Sequence, residues 1–350
     1  MTCARPLRIL LVHERFPPDY AGGGEYVVLE TARHLQARGH VVRVLAAGDP
    51  AIESFEGIAT RRIRMSRYRF NGAWREVAAM AGDADLIHCF TYHSVWPAHK
   101  AGRALDTPVV LEVLALFDDV WLEMRGPVLG RAFRAMETRL LRLPMAGRVF
   151  LSDTSLALAR SLGLGRPDDL VIAPGISLAD YHAAVDKPYV LFAGKLDVRK
   201  GIEVVLQVAA KMPDVPFRIV GWGERYDEVA ARCPPNVTIE RFKDRHHLAE
   251  VLSAARVFLF PTKAETFGLI VAEAMASGCA VVSTSPLPFA GERIVADDAD
   301  ATAHAVRALW TDPARCAEAG RRNLEAARQF SWDAHVDALE QLYARIVARP

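Results

Sequence analysis

The chain has 350 residues, of which 51% are hydrophobic and 24% are charged, and its formal net charge is +1 at pH 7. This length exceeds what one hydrophobic core usually serves, so two domains are expected, and the balanced charge supplies no basic domain of the kind that binds nucleic acid. Five scattered cysteines without a C-x-x-C pair argue against a zinc site and a disulfide framework, and they favour a reducing compartment. The apolar run within Met1–Val12 is too short for a signal peptide or a membrane span, so the sequence predicts a cytoplasmic protein.

The first half of the chain alternates apolar strands with helices. Leu7–Val12 predicts a buried strand, Pro17–Gly24 a turn-rich loop, and Glu25–Arg38 a helix that ends before Gly39. Further strands are predicted at Val41–Ala46, Leu86–Phe90, Val109–Val113 and Arg148–Leu151. This alternation indicates βαβ units and a parallel sheet.

The second half repeats the same logic after a turn-rich segment at 173–177. Strands are predicted at Tyr189–Ala193, Phe217–Val220, Val237–Glu240, Val257–Phe260 and Ala280–Ser283. A last amphipathic helix is predicted from Ser331, as N-cap, to about Ala348. We therefore divide the chain into domains at 1–180 and 181–330, followed by a C-terminal helix at 331–350.

Two carboxylates stand out in the segment Pro261–Gly278. Glu265 lies in the loop between a predicted strand and a predicted helix, and Glu273 lies eight positions later on that helix. Such a loop lies at the carboxyl edge of a parallel sheet, where ligands bind, and the amides of 266–268 would point towards the ligand. A carboxylate there is suited to binding sugar hydroxyls through charge-assisted hydrogen bonds.

A second segment, Phe192–Gly201, places two lysines around a loop that opens a helix. Gly194 would let the backbone approach a ligand, and Lys195 and Lys200 would stabilise the negative charge of a diphosphate leaving group. Taken alone, the pair is more simply explained as two solvated lysines at the start of a helix.

These motifs resemble the retaining glycosyltransferases of family 4, in which two glutamates are separated by seven residues. The resemblance implies an α/β chain with the GT-B fold, in which two Rossmann-like domains have parallel sheets that face each other across an interdomain cleft. Lys195 stands where the family usually has arginine, which keeps the charge and loses the bidentate fork. Phe330–Trp332 and Tyr343 match a helix that crosses back onto the first domain.

The resemblance implies a retaining, metal-independent transfer of a hexosyl or related sugar. The donor would be a UDP-, GDP- or TDP-linked sugar acting as co-substrate, with no separate cofactor, and the acceptor a small molecule or a glycan. The implied catalytic residues are Glu265, Lys200 and Lys195. The two lysines would contact the diphosphate, and Glu265 would form hydrogen bonds with the sugar hydroxyls around C3 and C4. Glu273 would accept hydrogen bonds from the ribose. The other predicted nucleotide-sugar-binding residues are Gly23, Gly24, Gly194, Arg241, Phe242, Thr266, Phe267, Gly268 and Leu269.

The triple glycine Gly22–Gly24 is ambiguous by itself, since a glycine turn between strand and helix is often structural. It lacks the G-x-G-x-x-G spacing of a dinucleotide site. In the resemblance it becomes a flexible loop near the donor phosphates and the acceptor, and Glu25 matches the residue that commonly follows.

The predicted acceptor side consists of Glu14, Tyr20, His93 and Leu114, which follow successive strands of the first domain. Family 4 enzymes usually carry a histidine where this chain has Leu114, although a retaining transfer in which the leaving phosphate helps to deprotonate the acceptor needs no histidine base. The wall formed by Leu114 would fit a donor sugar without a polar group at C6, or an acceptor with a hydrophobic face. His93 has a structural alternative, in which it fixes the interior of its loop.

The basic segment Arg61–Arg69 has three readings: contact with an acidic lipid surface at the membrane periphery, recognition of an anionic acceptor, or a solvated sheet edge. Two other functions also stay open. A GT-B protein could bind a nucleotide or sugar without transferring it, a hypothesis motivated by Leu114. A Rossmann oxidoreductase would need a glycine fingerprint after the first strand, and the nearest glycine pair, Gly221 and Gly223, lies in the second domain.

Overall fold

The computed structural model describes residues 5–19 and 22–348 of the chain. They form two compact units, one of residues up to Gly175 together with those from Trp332 onward, and the other of Ile176–Ser331. The sequence-based boundary at 180/181 differs from this division by five residues. No helix among the described residues is both long enough and apolar enough to cross a bilayer.

The N-terminal unit is built on an eight-stranded sheet with the order β3-β4-β2-β1-β5-β6-β7-β8. Its central strands β5 and β6 are buried along their whole length, because helices cover both faces of the sheet, and their sequences are correspondingly apolar. The strands are β1 (Arg8–Val12), β2 (Val41–Ala47), β3 (Ser54–Phe55), β4 (Ile58–Ile63), β5 (Leu86–Phe90), β6 (Val109–Val113), β7 (Gly147–Phe150) and β8 (Leu170–Val171).

Six α-helices accompany this sheet in the described part of the chain. They are α1 (Gly23–Ala37), α2 (Trp74–Ala81), α3 (Val95–Leu105), α4 (Val120–Leu141), α5 (Asp153–Ser161) and α12 (Trp332–Val347). Helix α4 is interrupted at Gly126, which has a φ of 75° and precedes Pro127. Helix α12 packs on α1 and on the sheet, where the Tyr343 hydroxyl lies 2.6 Å from Nδ1 of His88.

The C-terminal unit contains a six-stranded sheet with the order β11-β10-β9-β12-β13-β14, and all neighbours pair in parallel. All its carboxyl ends therefore lie at one edge. Its strands are β9 (Tyr189–Lys195), β10 (Phe217–Trp222), β11 (Val237–Arg241), β12 (Ala255–Phe260), β13 (Ala280–Ser283) and β14 (Gly291–Arg293). Its helices are α6 (Ile202–Lys211), α7 (Tyr226–Ala231), α8 (Arg245–Ser253), α9 (Leu269–Ala276), α10 (Ala299–Trp310) and α11 (Pro313–Ala327).

Both units have the predicted α/β class with mainly parallel sheets, and two local details differ from the sequence-based expectation. The short strand β3 pairs antiparallel with β4, so the first sheet is not wholly parallel. The glycine loop does not extend to Gly24: Gly22 is extended, with φ −112° and ψ 177°, and helix α1 begins at Gly23. The first amides of a helix have no intrahelical partner in any case, so glycine costs less there than in a helix interior.

Candidate active site

The loop after β12 is fastened to the loop after β9 by backbone contacts. The amide of Lys263 donates to the carbonyl of Arg199 at 2.8 Å, and the hydroxyl of Thr262 donates to the same carbonyl at 3.1 Å. Gly201 makes the close approach possible, because a Cβ at this position would lie 2.1 Å from the carbonyl oxygen of Pro261. The Asp197 carboxylate accepts from the Lys200 amide at 3.0 Å and shapes the 3₁₀ turn between them. These contacts bring Lys200 next to the glutamate loop.

Lys200 and Glu265 form an ion pair with 2.5 Å between Nζ and Oε2, and their side chains are only 14% and 15% exposed. Burial lowers the pKa of the Lys200 ammonium, and the Glu265 charge opposes this shift. Burial also works against the Glu265 carboxylate, but the charges of Lys200 and Arg199 hold the pKa of Glu265 below its usual value. The structure thus brings two of the three predicted catalytic residues into direct contact.

The turn that opens α9 holds the other residues of the glutamate loop. The amide of Thr266 donates to the Glu265 carboxylate, so it is not free for a ligand as the sequence analysis expected. Phe267 is buried against Phe330, with 5.2 Å between ring centroids. Gly268 is the N-cap with φ 93°, a conformation that favours glycine, and Leu269 is the first residue of the helix.

Glu273 is buried on α9, 3% exposed, and forms an ion pair with the guanidinium of Arg245. Arg245 is the first residue of α8, and it also donates to the hydroxyl of Tyr181 at 2.9 Å. A buried carboxylate without a cationic partner would be strongly destabilising, so Arg245 compensates the burial of Glu273.

The remaining predicted donor-side residues lie along the same sheet edge. Gly194 pairs in register with Gly221, and Lys195 with Trp222. The Lys195 side chain is 47% exposed and lies 3.7 Å from an Asp197 oxygen, so it does not share the buried position of Lys200.

The end of β11 completes that edge. The Phe242 amide donates to the Gly221 carbonyl at 3.0 Å, and its ring lies 5.3 Å from that of Trp222. The Arg241 guanidinium lies over the Tyr226 ring and pairs with Asp227 at 2.7 Å. The backbone of 241–242 therefore lies beside the carboxyl end of β10, while the Arg241 side chain has other partners.

In the N-terminal unit, the predicted acceptor residues Glu14 and His93 are both buried. Among the described residues no hydrogen-bond donor reaches Glu14 Oε2, and Nε2 of His13 lies 4.0 Å from this oxygen. Burial lowers the pKa of His93, with the Glu14 charge acting in the opposite direction. Burial also raises the pKa of Glu25, on the first turn of α1 near His13. Tyr20, also predicted for this side, lies outside the described residues.

Leu114 follows β6 and packs towards the start of α1. A Cβ at Gly24 would lie 3.2 Å from Leu114 Cδ1, which places the second predicted glycine against this side chain. Glu112 is fully buried in the core, where its Oε2 lies 3.2 Å from Nε2 of the equally buried His88. His88 is therefore a core residue of this unit.

The loop after Leu114 is held by a single buried carboxylate, that of Glu137 on α4. It accepts hydrogen bonds from the Tyr92 hydroxyl at 2.6 Å, the Trp121 indole at 3.1 Å, and the amides of Phe117 and Asp118 at 3.0 and 2.9 Å. Four donors on one carboxylate fix the chain between β6 and α4. In the described ranges, no group of three or more His, Cys, Asp or Glu side chains is arranged to hold a metal ion.

Comparison with known proteins identifies the family. A model described as glycosyl transferases group 1 matches residues 187–312, and one described as glycosyl transferase 4-like domain matches residues 22–175. The fold matches sucrose-phosphate synthase from Thermosynechococcus elongatus with a TM-score of 0.85 at 22% identity, over 98% of this chain and 100% of that one. The chain belongs to the GT-B glycosyltransferases of the family 4 type.

Two further proteins are similar to this glycosyltransferase. A D-inositol 3-phosphate glycosyltransferase of Mycolicibacterium paratuberculosis is 32% identical over 208 residues, which cover 51% of this chain and 47% of that relative. Anabaena HepE in complex with UDP-glucose has a TM-score of 0.78 at 17% identity, and the match covers 96% of this chain and 98% of HepE. At 17% identity, the similarity to HepE shows a common fold.

Sequence reasoning missed two residues that shape the site of this glycosyltransferase. Arg245 lies 28 residues before Glu273, and Glu137 lies well after the loop that it holds. The only local signal for Arg245 is its position after Asp244, which caps α8 by accepting from the amide of His247 at 2.8 Å. No local pattern marks Glu137.

Proposed function

We propose that this glycosyltransferase moves a sugar from a nucleotide-diphospho-sugar to its acceptor, with retention at the anomeric carbon and without a metal ion. The observation that carries the proposal is the buried pair of Lys200 and Glu265 at the carboxyl edge of the second sheet. As the glycosidic bond breaks, negative charge develops on the diphosphate, and a fixed ammonium in a water-poor site stabilises it. A solved neighbour, HepE, holds UDP-glucose, which supports a uridine-linked donor as the first to test.

The hydrogen bonds of Glu265 suit it to hold the transferred sugar. A carboxylate offers about four lone-pair positions. Lys200 and the amide of Thr266 occupy two of them, which leaves capacity for two sugar hydroxyls. Glu273, fixed by Arg245, is the candidate for the ribose hydroxyls, and Lys195 is a second candidate contact for the diphosphate.

The acceptor is proposed to bind at the carboxyl edge of the first sheet. There Glu14 and the neutral form of His93, favoured by burial, are polar groups that could meet an incoming hydroxyl. Leu114 supplies an apolar surface beside them. Tyr20 remains a sequence-based candidate for the same side.

The decisive experiment measures donor cleavage and product stereochemistry. UDP-, GDP- and TDP-sugars are incubated with the protein, with and without EDTA, and the released sugar is followed by NMR. We expect nucleotide release that EDTA does not abolish and a first-formed anomer identical to that of the donor. An inverted anomer or a metal requirement would contradict those parts of the proposal.

A matched pair of variants ties the reaction to the site. Glu265→Gln keeps the shape and removes the charge, so turnover should fall far more than affinity for the nucleoside diphosphate. Glu250→Gln, at a glutamate of α8 whose side chain is 60% exposed, serves as control and should retain wild-type rates. If the wild type binds nucleoside diphosphate but cleaves no donor, the protein is a binding module; a ligand-induced stability shift with NADH alone would favour an oxidoreductase.

A further inference from the structure

The basic segment Arg61–Arg69, which spans the end of β4 and the residues after it, contains arginines in different environments. Arg62 is buried and pairs with Asp19 at 2.6 Å, so it is part of the fold. Arg64 is 84% exposed and lies 3.6 Å from Asp49. Arg67 differs from both, because it turns back onto its neighbour Tyr68: its Nη2 donates to the Tyr68 hydroxyl at 2.7 Å, and its guanidinium lies 4.6 Å from the ring centroid.

A second arginine lies close enough to Tyr68 to act on its hydroxyl electrostatically. Arg125, on the first part of α4, adds its charge to that of Arg67 beside Tyr68, and the hydrogen bond from Arg67 followed by these charges lowers the pKa of Tyr68. Among the described residues, no carboxylate forms an ion pair with Arg67 or Arg125. Arg134, farther along the same helix, shows the contrast, since Asp118 and Asp119 lie 2.7 and 2.5 Å from its nitrogens.

The two arginines adjoin the predicted acceptor residues. The Tyr68 ring packs edge-on against His93, with 5.2 Å between centroids. Asn71 donates to the Tyr68 carbonyl at 3.0 Å and lies 2.9 Å from Nδ1 of His93, which fixes the tyrosine and the histidine to each other. The cationic surface thus continues into the buried polar groups at the carboxyl edge of the sheet.

We propose that Arg67, Arg125 and Tyr68 form a subsite for a phosphate group of the acceptor. Two guanidinium groups that converge on one hydroxyl repel each other, and a phosphate would neutralise both while accepting their forked hydrogen bonds. The hydroxyl of Tyr68 supplies a third donor. This inference rests on the proposed function, because it names the chemical class of the acceptor: a phosphorylated polyol or sugar, either free or as a lipid headgroup.

The test measures phosphate binding in a background that silences the donor site. Lys200→Met removes the ammonium proposed to bind the donor diphosphate, and the protein is then titrated with glycerol 1-phosphate, with glycerol as the uncharged control. We expect saturable binding of the phosphate ester alone. Arg67→Gln and Arg125→Gln should each weaken it by about tenfold or more, as expected for a lost charge-assisted hydrogen bond. Tyr68→Phe should weaken it less.

Arg131→Gln is the matched control, since Arg131 is an exposed arginine of α4 outside this cluster. Equal losses of phosphate binding in Arg131→Gln and Arg67→Gln would overturn the proposal in favour of non-specific attraction. Unchanged binding in Arg67→Gln would overturn it as well.

Co-sedimentation with phosphatidylcholine vesicles, with and without phosphatidylinositol, distinguishes a lipid headgroup from a free phosphate ester. Binding to the phosphatidylinositol vesicles that is lost in Arg67→Gln indicates a lipid headgroup, and binding of the soluble ester alone indicates a free phosphate. Donor cleavage by the single variant Arg67→Gln, which keeps Lys200, tests the proposed function independently of phosphate binding.

Discussion

The carboxyl edges of the two sheets differ in how their charges are balanced. In the C-terminal unit each predicted site carboxylate has its own cation: Glu265 has Lys200 and Glu273 has Arg245. In the N-terminal unit one oxygen of Glu14 has no hydrogen-bond donor among the described residues, and Arg67 has no carboxylate in that same set. The C-terminal edge is organised before any ligand arrives. The N-terminal edge instead has charged groups that a ligand of opposite charge would neutralise.

Because of this difference, we expect substitutions at the two edges to have different effects on activity. A preorganised site contributes to catalysis because its dipoles and charges need no reorganisation during the reaction. Changes at the C-terminal edge should therefore lower turnover with every donor and acceptor. Changes at the N-terminal edge should alter which acceptor is used, unless they remove the carboxylate that holds the loop.

The largest expected effect is that of Lys200→Met. Losing a fixed charge that stabilises the leaving group should reduce kcat by about 10²–10³-fold. Steady-state donor cleavage measures the effect. Lys211→Met is the control, because the Lys211 ammonium pairs at 2.6 Å with the exposed Asp300 of the same unit and has no proposed role. A Lys200→Met enzyme with wild-type kcat would remove Lys200 from the catalytic group.

The next effect concerns the N-terminal unit and its stability. Glu137→Leu removes the acceptor of four donors, two of them buried and two partly buried, so we expect the free energy of unfolding to fall by about 3 kcal/mol or more. Urea denaturation measures the loss. Glu137→Gln retains one acceptor oxygen and should lose less. Nucleoside diphosphate affinity, which we assign to the other unit, should be unchanged under native conditions, and a parallel fall in that affinity would contradict the separation of the two edges.

A smaller effect is expected at the predicted ribose contact. Glu273→Gln should weaken nucleoside diphosphate binding by about 1–3 kcal/mol, as expected for the loss of a charge-assisted hydrogen bond. Calorimetric titration with UDP and GDP gives the value. Glu250→Gln again provides the exposed control. Unchanged affinity in Glu273→Gln would mean that this carboxylate serves Arg245 and the fold and does not contact the nucleotide.

The strand-loop-helix placement of the glutamate motif could be predicted because its signals are local. Glu265, Gly268 and Glu273 lie on one strand-loop-helix segment, so their spacing alone places them at the edge of a sheet. The proximity of Lys200 was expected from the family resemblance alone; in the structure it arises because the loop after β9 and the loop after β12 follow neighbouring parallel strands.

Tertiary contacts explain what the sequence could not predict. The ion pair of Arg245 with Glu273 joins α8 to α9, and the hydrogen bonds of Glu137 join α4 to a loop about 20 residues earlier. Neither contact leaves a periodic pattern or a motif in the sequence. Glycine propensity predicted a loop through Gly24, yet α1 starts at Gly23 and Gly24 lies against Leu114. Propensity is a weak guide where packing decides the outcome.

The smallest expected effect tests the apolar wall at Leu114, where this chain departs from the family pattern at the proposed acceptor edge. A buried hydroxyl without a partner costs about 1–3 kcal/mol, so the wild type should prefer a 6-deoxy donor over its 6-hydroxy counterpart when both carry the same nucleotide. Leu114→His restores the usual residue and should shift the kcat/KM ratio towards the 6-hydroxy donor. Leu114→Ala tests whether the side chain contributes to donor preference. An unchanged ratio of kcat/KM values for the two donors would leave only the backbone carbonyl as the functional group. A clear wild-type preference for the 6-hydroxy donor would defeat the donor version of the idea, and the apolar surface would then have to serve a hydrophobic face of the acceptor.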